Sequence, residues 1–121
     1  MNLSFVTIHV QDLPGTVDFY RQVMGFEVER QFTAGPGVEI VFMKDGAGGT
    51  LEFIRGAGGP VEAKGISLGF VVPDAAATAA HLGAHGVRIV HGPATTPGGV
   101  VLLHALDPNG VELGLDRKSV V

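Results

Sequence analysis

The 121-residue sequence predicts an α+β fold, a single domain made of two tandem βαβββ modules. The first observation behind this prediction is an internal repeat of pattern with an offset of 62 residues. Apolar stretches that close with a turn and an aspartate open both halves, at residues 5–12 and 67–74. The same offset relates residues 38–43 to 100–105 and residues 51–53 to 113–115. The second observation is that a capped helix follows the first stretch in each half, and three extended segments follow the helix.

In the first module, Asp12 is a good N-cap for a helix over residues 13–24. Pro14 lies in the first turn, and Gly25 is placed to close the helix in a left-handed conformation. Strands are predicted after it at residues 27–33, 38–44 and 50–55, because these segments are apolar or alternating and are separated by glycine-containing turns.

The second module repeats this order. Asp74 caps an alanine-rich helix that Gly86 ends, and strands are predicted at residues 87–91, 100–106 and 111–116. We place the first module at about residues 1–56, a glycine-rich linker at 57–64 and the second module at about 65–117.

Composition excludes several classes of function. Eight Lys and Arg residues against 12 Asp and Glu residues give a net charge of −4, without a basic cluster for nucleic acid. No apolar run approaches the roughly 18 residues of a membrane span. The absence of cysteine removes disulfides and thiolate chemistry, and it is compatible with a reducing compartment. We therefore predict a cytoplasmic protein with no membrane or nucleic-acid partner.

Several motifs of the sequence occur together: Val10-Gln-Asp-Leu13, Phe19-Tyr20, Met24-Gly-Phe26 and Asp107-Pro-Asn-Gly110 before Val111-Glu-Leu113. With these motifs the chain resembles the vicinal oxygen chelate superfamily, which includes glyoxalases, extradiol dioxygenases and bleomycin-resistance proteins. The resemblance implies paired modules whose mixed sheets curl into a concave cup. It also implies that the cup is commonly completed by dimerisation, so a homodimer is predicted.

The same resemblance assigns four metal-ligand positions, two in each module. They fall here at Phe5, Glu52, Ser67 and Gly114. Only Glu52 has a side chain suited to a catalytic divalent ion. The prediction is therefore that the family's metal site is missing and that no cofactor is needed, with a divalent metal at Glu52 as the alternative.

Polar residues near these positions are candidates for acid/base chemistry. Strand alternation places His9 on the side of Phe5, and Glu112 on the side of Gly114. A pair formed by His9 with Glu52 or Glu112 could exchange a proton without a metal, because imidazole titrates near neutrality. The alternative is that these groups only orient a bound ligand.

The leading functional prediction is metal-independent binding of a hydrophobic or aromatic small molecule in the cup, as in the family's resistance proteins. The alternatives are a glyoxalase-like lyase or isomerase, which would use Glu52 or the metal-free pair, and a structural module filled by its own dimer partner. The predicted ligand-binding residues are Phe5, Thr7, His9, Glu52, Ile54, Ser67, Val71 and Gly114.

The remaining histidines carry weaker signals. His81 and His85 share a face of the second helix but lack the glutamate of a zinc-protease motif, so we expect a solvent-facing pair. His91 precedes Gly-Pro at a strand end, where a loop role is expected. The side of the sheet to which His104 points stays open, because apolar residues occur on both sides of its strand.

Overall fold

The structure is a computed structural model that describes residues 1–56, 58 and 65–116. The chain divides into two compact units, Met1–Ala63 and Lys64–Val121. Except for Gly58, the predicted linker lies outside the described residues, as does residue 117 at the predicted end of the second module.

The first unit is a βαβββ module. Its elements are β1 (Val6–His9), α1 (Leu13–Gln22), β2 (Glu27–Gly35), β3 (Val38–Lys44) and β4 (Thr50–Arg55). The strands form a mixed sheet in the order β1-β4-β3-β2, in which β1 pairs with β4 in parallel and the other neighbours are antiparallel. The parallel pair is possible because α1 supplies part of the crossover between its strands.

The second unit has the same organisation. It contains β5 (Ser67–Val71), α2 (Ala75–Ala84), β6 (Ile89–Thr95), β7 (Val101–Leu106) and β8 (Glu112–Asp116), and its strand order is β5-β8-β7-β6. The predicted fold class, α+β with two tandem βαβββ modules, is confirmed.

The strand pairing repeats with the same 62-residue offset as the sequence pattern. In the first sheet Val6 pairs with Leu51, and the residues 62 positions later, Leu68 and Leu113, pair in the second. The two helices obey the same offset at both ends, since they span Leu13–Gln22 and Ala75–Ala84. Equivalent sequence positions therefore occupy equivalent places in the two sheets.

Both helices begin where the sequence predicts. Asp12 accepts a hydrogen bond from the amide of Gly15 at 2.9 Å, and Asp74 accepts one from the amide of Ala77 at 3.1 Å. Helix α1 ends at Gln22, two residues before the predicted end, because the chain turns at Gly25 with a φ of 77°.

One side of each sheet packs against the helix of its unit. In the first unit the buried ring of Tyr20 on α1 lies 4.9 Å from that of Phe53 on β4. In the second, Leu82 on α2 and the strand residues Leu103 and Leu113 are buried. The residues that alternate with these buried ones along each strand point to the other side of the sheet, which we call its open face.

No helix in the described ranges is long and apolar enough to cross a membrane.

Several strand boundaries differ from prediction, and two of these differences concern candidate or histidine positions. Strand β1 begins at Val6, so Phe5 precedes it. Strand β6 covers Ile89–Thr95 instead of residues 87–91, which places His91 inside a strand and corrects the expected loop role. Strand β6 stays paired with β7 beyond Pro93. Proline has no backbone N–H to donate to the ladder, and the register shift between His91 and Ala94 takes it out of the pairing.

Candidate functional site

A row of four residues crosses the open face of the first sheet. Arg30 on β2 pairs with Phe42 on β3, and Phe42 pairs with Glu52 on β4. Thr7 on β1 is the parallel partner of Glu52. Paired residues lie on the same side of a sheet, so these side chains are neighbours in space although they come from four different strands.

Glu52 is the buried carboxylate at the centre of this row. It is only 9% exposed, and its Oε1 accepts a hydrogen bond from the Thr7 hydroxyl at 2.5 Å. A buried carboxylate needs such donors, because removal from water is costly without compensating hydrogen bonds. The structure thus brings together two of the predicted ligand-binding residues, Thr7 and Glu52.

Three phenylalanine rings form an aromatic cluster beside Glu52. The ring of Phe5 meets that of Phe42 edge to face with centroids 5.3 Å apart, and Phe32 stacks on Phe42 with centroids 6.3 Å apart. Phe5 remains 42% exposed. The cluster therefore offers accessible ring surface next to a carboxylate.

The guanidinium of Arg30 lies over two rings of this cluster. Its central carbon is 4.7 Å from the centroid of Phe32 and 5.3 Å from that of Phe42. Such cation–π contacts contribute about 0.5–1 kcal/mol each at exposed sites and restrain the guanidinium over the rings. Arg30 and Phe32 were not among the predicted site residues. The alternation of β2 was the sequence signal that could have placed both on one side of the sheet.

His9 and Ile54 lie at the end of the same face. They are paired across β1 and β4, and both are half-buried. Within residues 1–56, 58 and 65–116, no ion pair joins His9 to Glu52. Glu112, the third catalytic candidate, belongs to the second unit, and the roles of all three stay predictions.

The open face of the second sheet carries the other predicted residues. Ser67 pairs with Glu112, and Val71 pairs with Asp116, across the parallel strands β5 and β8. Val71 is 78% exposed. Gly114 lies between the two carboxylates on β8, so the side chains of Glu112 and Asp116 flank a position that has none.

A histidine with two carboxylate neighbours occupies the second open face. Nδ1 of His104 lies 2.9 Å from Oε1 of Glu112, and its Nε2 lies 3.7 Å from Oδ1 of Asp116. The ring of His91 is 5.9 Å from that of His104, centroid to centroid. A His/carboxylate pair therefore exists on the second open face, and its histidine, His104, was not among the predicted site residues.

Gly114 borders this arrangement without being required by it. A Cβ atom built on it would lie 3.6 Å from Oδ2 of Asp116 and 3.8 Å from Nε2 of His104, both ordinary contact distances. The alternation of Glu112, Gly114 and Asp116 along β8 was the sequence signal for two carboxylates on one side of the sheet. His104 lies between them because it is the antiparallel partner of Gly114.

The residues at the four positions assigned by the resemblance do not fit a metal centre. Phe5 offers a hydrocarbon ring, Gly114 has no side chain, and the neutral hydroxyl of Ser67 is a poor ligand for a catalytic divalent ion. Across the part of the chain that the structure describes, no three His, Asp or Glu side chains are arranged to hold a metal ion.

Solved structures resemble this fold over nearly the whole chain. A glyoxalase family protein from Enterococcus faecalis has a TM-score of 0.81 and 23% identity, with 96% of this chain and 97% of that chain covered. The trypanothione-dependent glyoxalase I of Leishmania major has a TM-score of 0.79 and 20% identity, covering 97% of this chain and 87% of that one. At these identities the likeness shows the fold alone.

A glyoxalase I mutant from Zea mays also matches, with a TM-score of 0.79 and 21% identity over 94% of this chain, which spans only 44% of the maize chain. No curated protein matches the sequence. The family model described as Glyoxalase/Bleomycin resistance protein/Dioxygenase superfamily matches residues 2–115. The resemblance found in the sequence is thus confirmed, and the chain belongs to the Glyoxalase/Bleomycin resistance protein/Dioxygenase superfamily.

Proposed function

We propose that this protein binds a hydrophobic or aromatic small molecule on the open face of its first sheet, without a metal. The observation that carries the proposal is the aromatic cluster of Phe5, Phe32 and Phe42 beside the buried carboxylate of Glu52. An apolar ligand gains about 25 cal/mol for each Å² of apolar surface that it removes from water. Aromatic rings add a preference for flat partners in stacked or edge-on geometry.

Glu52 supplies the polar part of this site. Its carboxylate already accepts one hydrogen bond, from Thr7, and a carboxylate has capacity for several more. A hydrogen-bond donor on the ligand would therefore be oriented towards Glu52 while its ring lies on Phe42. A mostly apolar surface with a few fixed polar groups is typical of small-molecule sites.

The test is titration of the protein with a neutral planar probe, naphthalene carboxamide, followed by calorimetry. We expect Phe42→Leu to weaken binding about fivefold, since it removes a ring and keeps an apolar side chain, and stacking is worth about 1 kcal/mol. Phe19→Leu is the matched control, because Phe19 packs against Tyr20 on helix α1. Equal affinity in both variants would contradict the proposal.

A second measurement concerns the metal. Elemental analysis of protein purified without chelator is expected to find no stoichiometric transition metal, because three of the four assigned positions lack a suitable ligand. About one tightly held ion per chain would contradict metal-independent binding.

The His104–Glu112 pair favours a second candidate function, a metal-free lyase or isomerase. Glu112 at 2.9 Å from Nδ1 can orient the imidazole, as a carboxylate does for a general base. Such a pair would take a proton from carbon next to a carbonyl and return it elsewhere.

Exchange of solvent deuterium into small carbonyl compounds, followed by NMR, tests this candidate. Exchange should be lost in Glu112→Gln and retained in Glu52→Gln if the pair acts alone. If only Glu52→Gln loses exchange, the reacting group lies on the first sheet and not at His104. If the parent protein exchanges deuterium into none of the compounds, this second function is rejected for small carbonyl substrates.

A further inference from the structure

We propose that the ligand of the first open face is a planar aromatic molecule with an anionic group, and that Arg30 binds this group. The inference rests on the proposed function and names the ligand class of the same site. Arg30 belongs to the row across the first sheet, where its paired residue Phe42 lies between Arg30 and Glu52.

Two rings restrain the guanidinium of Arg30 on this face. The contacts to Phe32 at 4.7 Å and Phe42 at 5.3 Å lie within the range of cation–π attraction. The residue is nevertheless exposed, so the donor atoms of its guanidinium remain open to a ligand. A restrained guanidinium loses less side-chain entropy when it forms hydrogen bonds than a freely moving one does.

Arg30 lacks an acidic partner in the part of the chain that the structure describes. Among the described residues, no carboxylate oxygen lies within 4.0 Å of a guanidinium nitrogen of Arg30, the distance limit for an ion pair. Arg55 on β4 is a contrasting case, because it pairs with Glu39 at 3.0 Å. The charge of Arg30 is therefore available to an anionic group from outside the chain.

The row on the sheet also orients such a ligand. Arg30 and Glu52 are two strand spacings apart, about 10 Å between backbones, with Phe42 in the middle. A ring that lies on Phe42 would place an anionic substituent near Arg30, where the planar fork of donors matches a carboxylate. The same substituent would be repelled at the other end by the carboxylate of Glu52.

Two probes with the same ring test the inference. The full chain is titrated with naphthalene carboxylate and with its neutral carboxamide, at low and constant ionic strength. We expect the carboxylate to bind about tenfold more tightly, a difference equivalent to about 1.4 kcal/mol. Arg30→Gln should remove this preference, so that the two probes bind this variant with about equal affinity.

Two further variants keep the result specific. Arg21→Gln, on helix α1, removes the same charge outside this face and should preserve the tenfold preference. Arg30→Lys keeps the charge but loses the planar fork, and we expect it to retain only part of the preference. Circular dichroism checks that each variant has the fold of the parent.

Each remaining outcome separates the two proposals. If both probes bind but the carboxylate has no advantage, anion selection is wrong while the proposed function stands. If the advantage survives Arg30→Gln, Arg30 does not bind the anionic group. If neither probe binds, both the proposed function and this inference fail for planar aromatic ligands.

Discussion

Replacing Thr7 with valine probes the hydrogen bond that holds the buried carboxylate of Glu52. Valine has nearly the shape of threonine but cannot donate, so one carboxylate oxygen loses the hydroxyl at 2.5 Å. Because Glu52 is only 9% exposed, water can replace this donor only in part. We expect the change to reduce the free energy of unfolding.

The magnitude follows from the charge of the acceptor. Hydrogen bonds to charged groups contribute about 1.5–3 kcal/mol, against about 0.5–1.5 kcal/mol for neutral ones. Thr7 itself is exposed, which admits some water, so we expect a loss of about 1–2 kcal/mol. At about 4 °C for each kcal/mol in a domain of this size, the melting temperature should fall by about 4–8 °C.

A double-mutant cycle separates the charge from other effects. In a Glu52→Gln background the acceptor is neutral, so Thr7→Val should cost about 1 kcal/mol less than in the parent. Urea unfolding followed by circular dichroism measures all four proteins, and Thr33→Val on β2 is an exposed control expected within about 0.5 kcal/mol of the parent. An equal cost of Thr7→Val in both backgrounds would refute the reasoning.

Three further predictions concern the backbone and can be measured by the same unfolding assay. Asp12→Ala removes the acceptor for the Gly15 amide and should cost about 1 kcal/mol, whereas Asp12→Asn should cost little. Gly56→Ala should destabilise more than Gly25→Ala: both glycines have positive φ, but only the new Cβ at Gly56 would lie 2.0 Å from a carbonyl oxygen. Gly114→Ala should change stability by less than about 1 kcal/mol, since its Cβ meets neighbours at 3.6 Å or more; a larger loss would contradict that contact geometry.

Much of the fold could be predicted because its signals are local. Asp12 and Asp74 mark the helix starts, since an N-cap acts within one turn. The offset of 62 residues recurs in strand pairs such as Val6 with Leu51 and Leu68 with Leu113. The end of β6 was predicted wrongly because pairing with β7 extends the strand beyond a local Gly-Pro break signal.

The site could be predicted only in part. The family resemblance placed Glu52 in the cup with Phe5, and the structure joins Glu52 to Thr7 by a hydrogen bond. Strand alternation had placed Thr7 on the side of Phe5. The same rule could not choose a side for His104, because both sides of β7 are apolar. Its contact with Glu112 depends on the register between β7 and β8.

The sequence by itself determined the modules and the helix caps, because both depend on residue type and local spacing. It also put Phe5, Ser67 and Gly114, none of which has a metal-ligand side chain, at three of the four positions that the family resemblance assigns. Only the tertiary structure decided that Arg30 lies over the rings of Phe32 and Phe42. Alternation tells on which side a residue lies, but non-local hydrogen bonds between strands choose its neighbours.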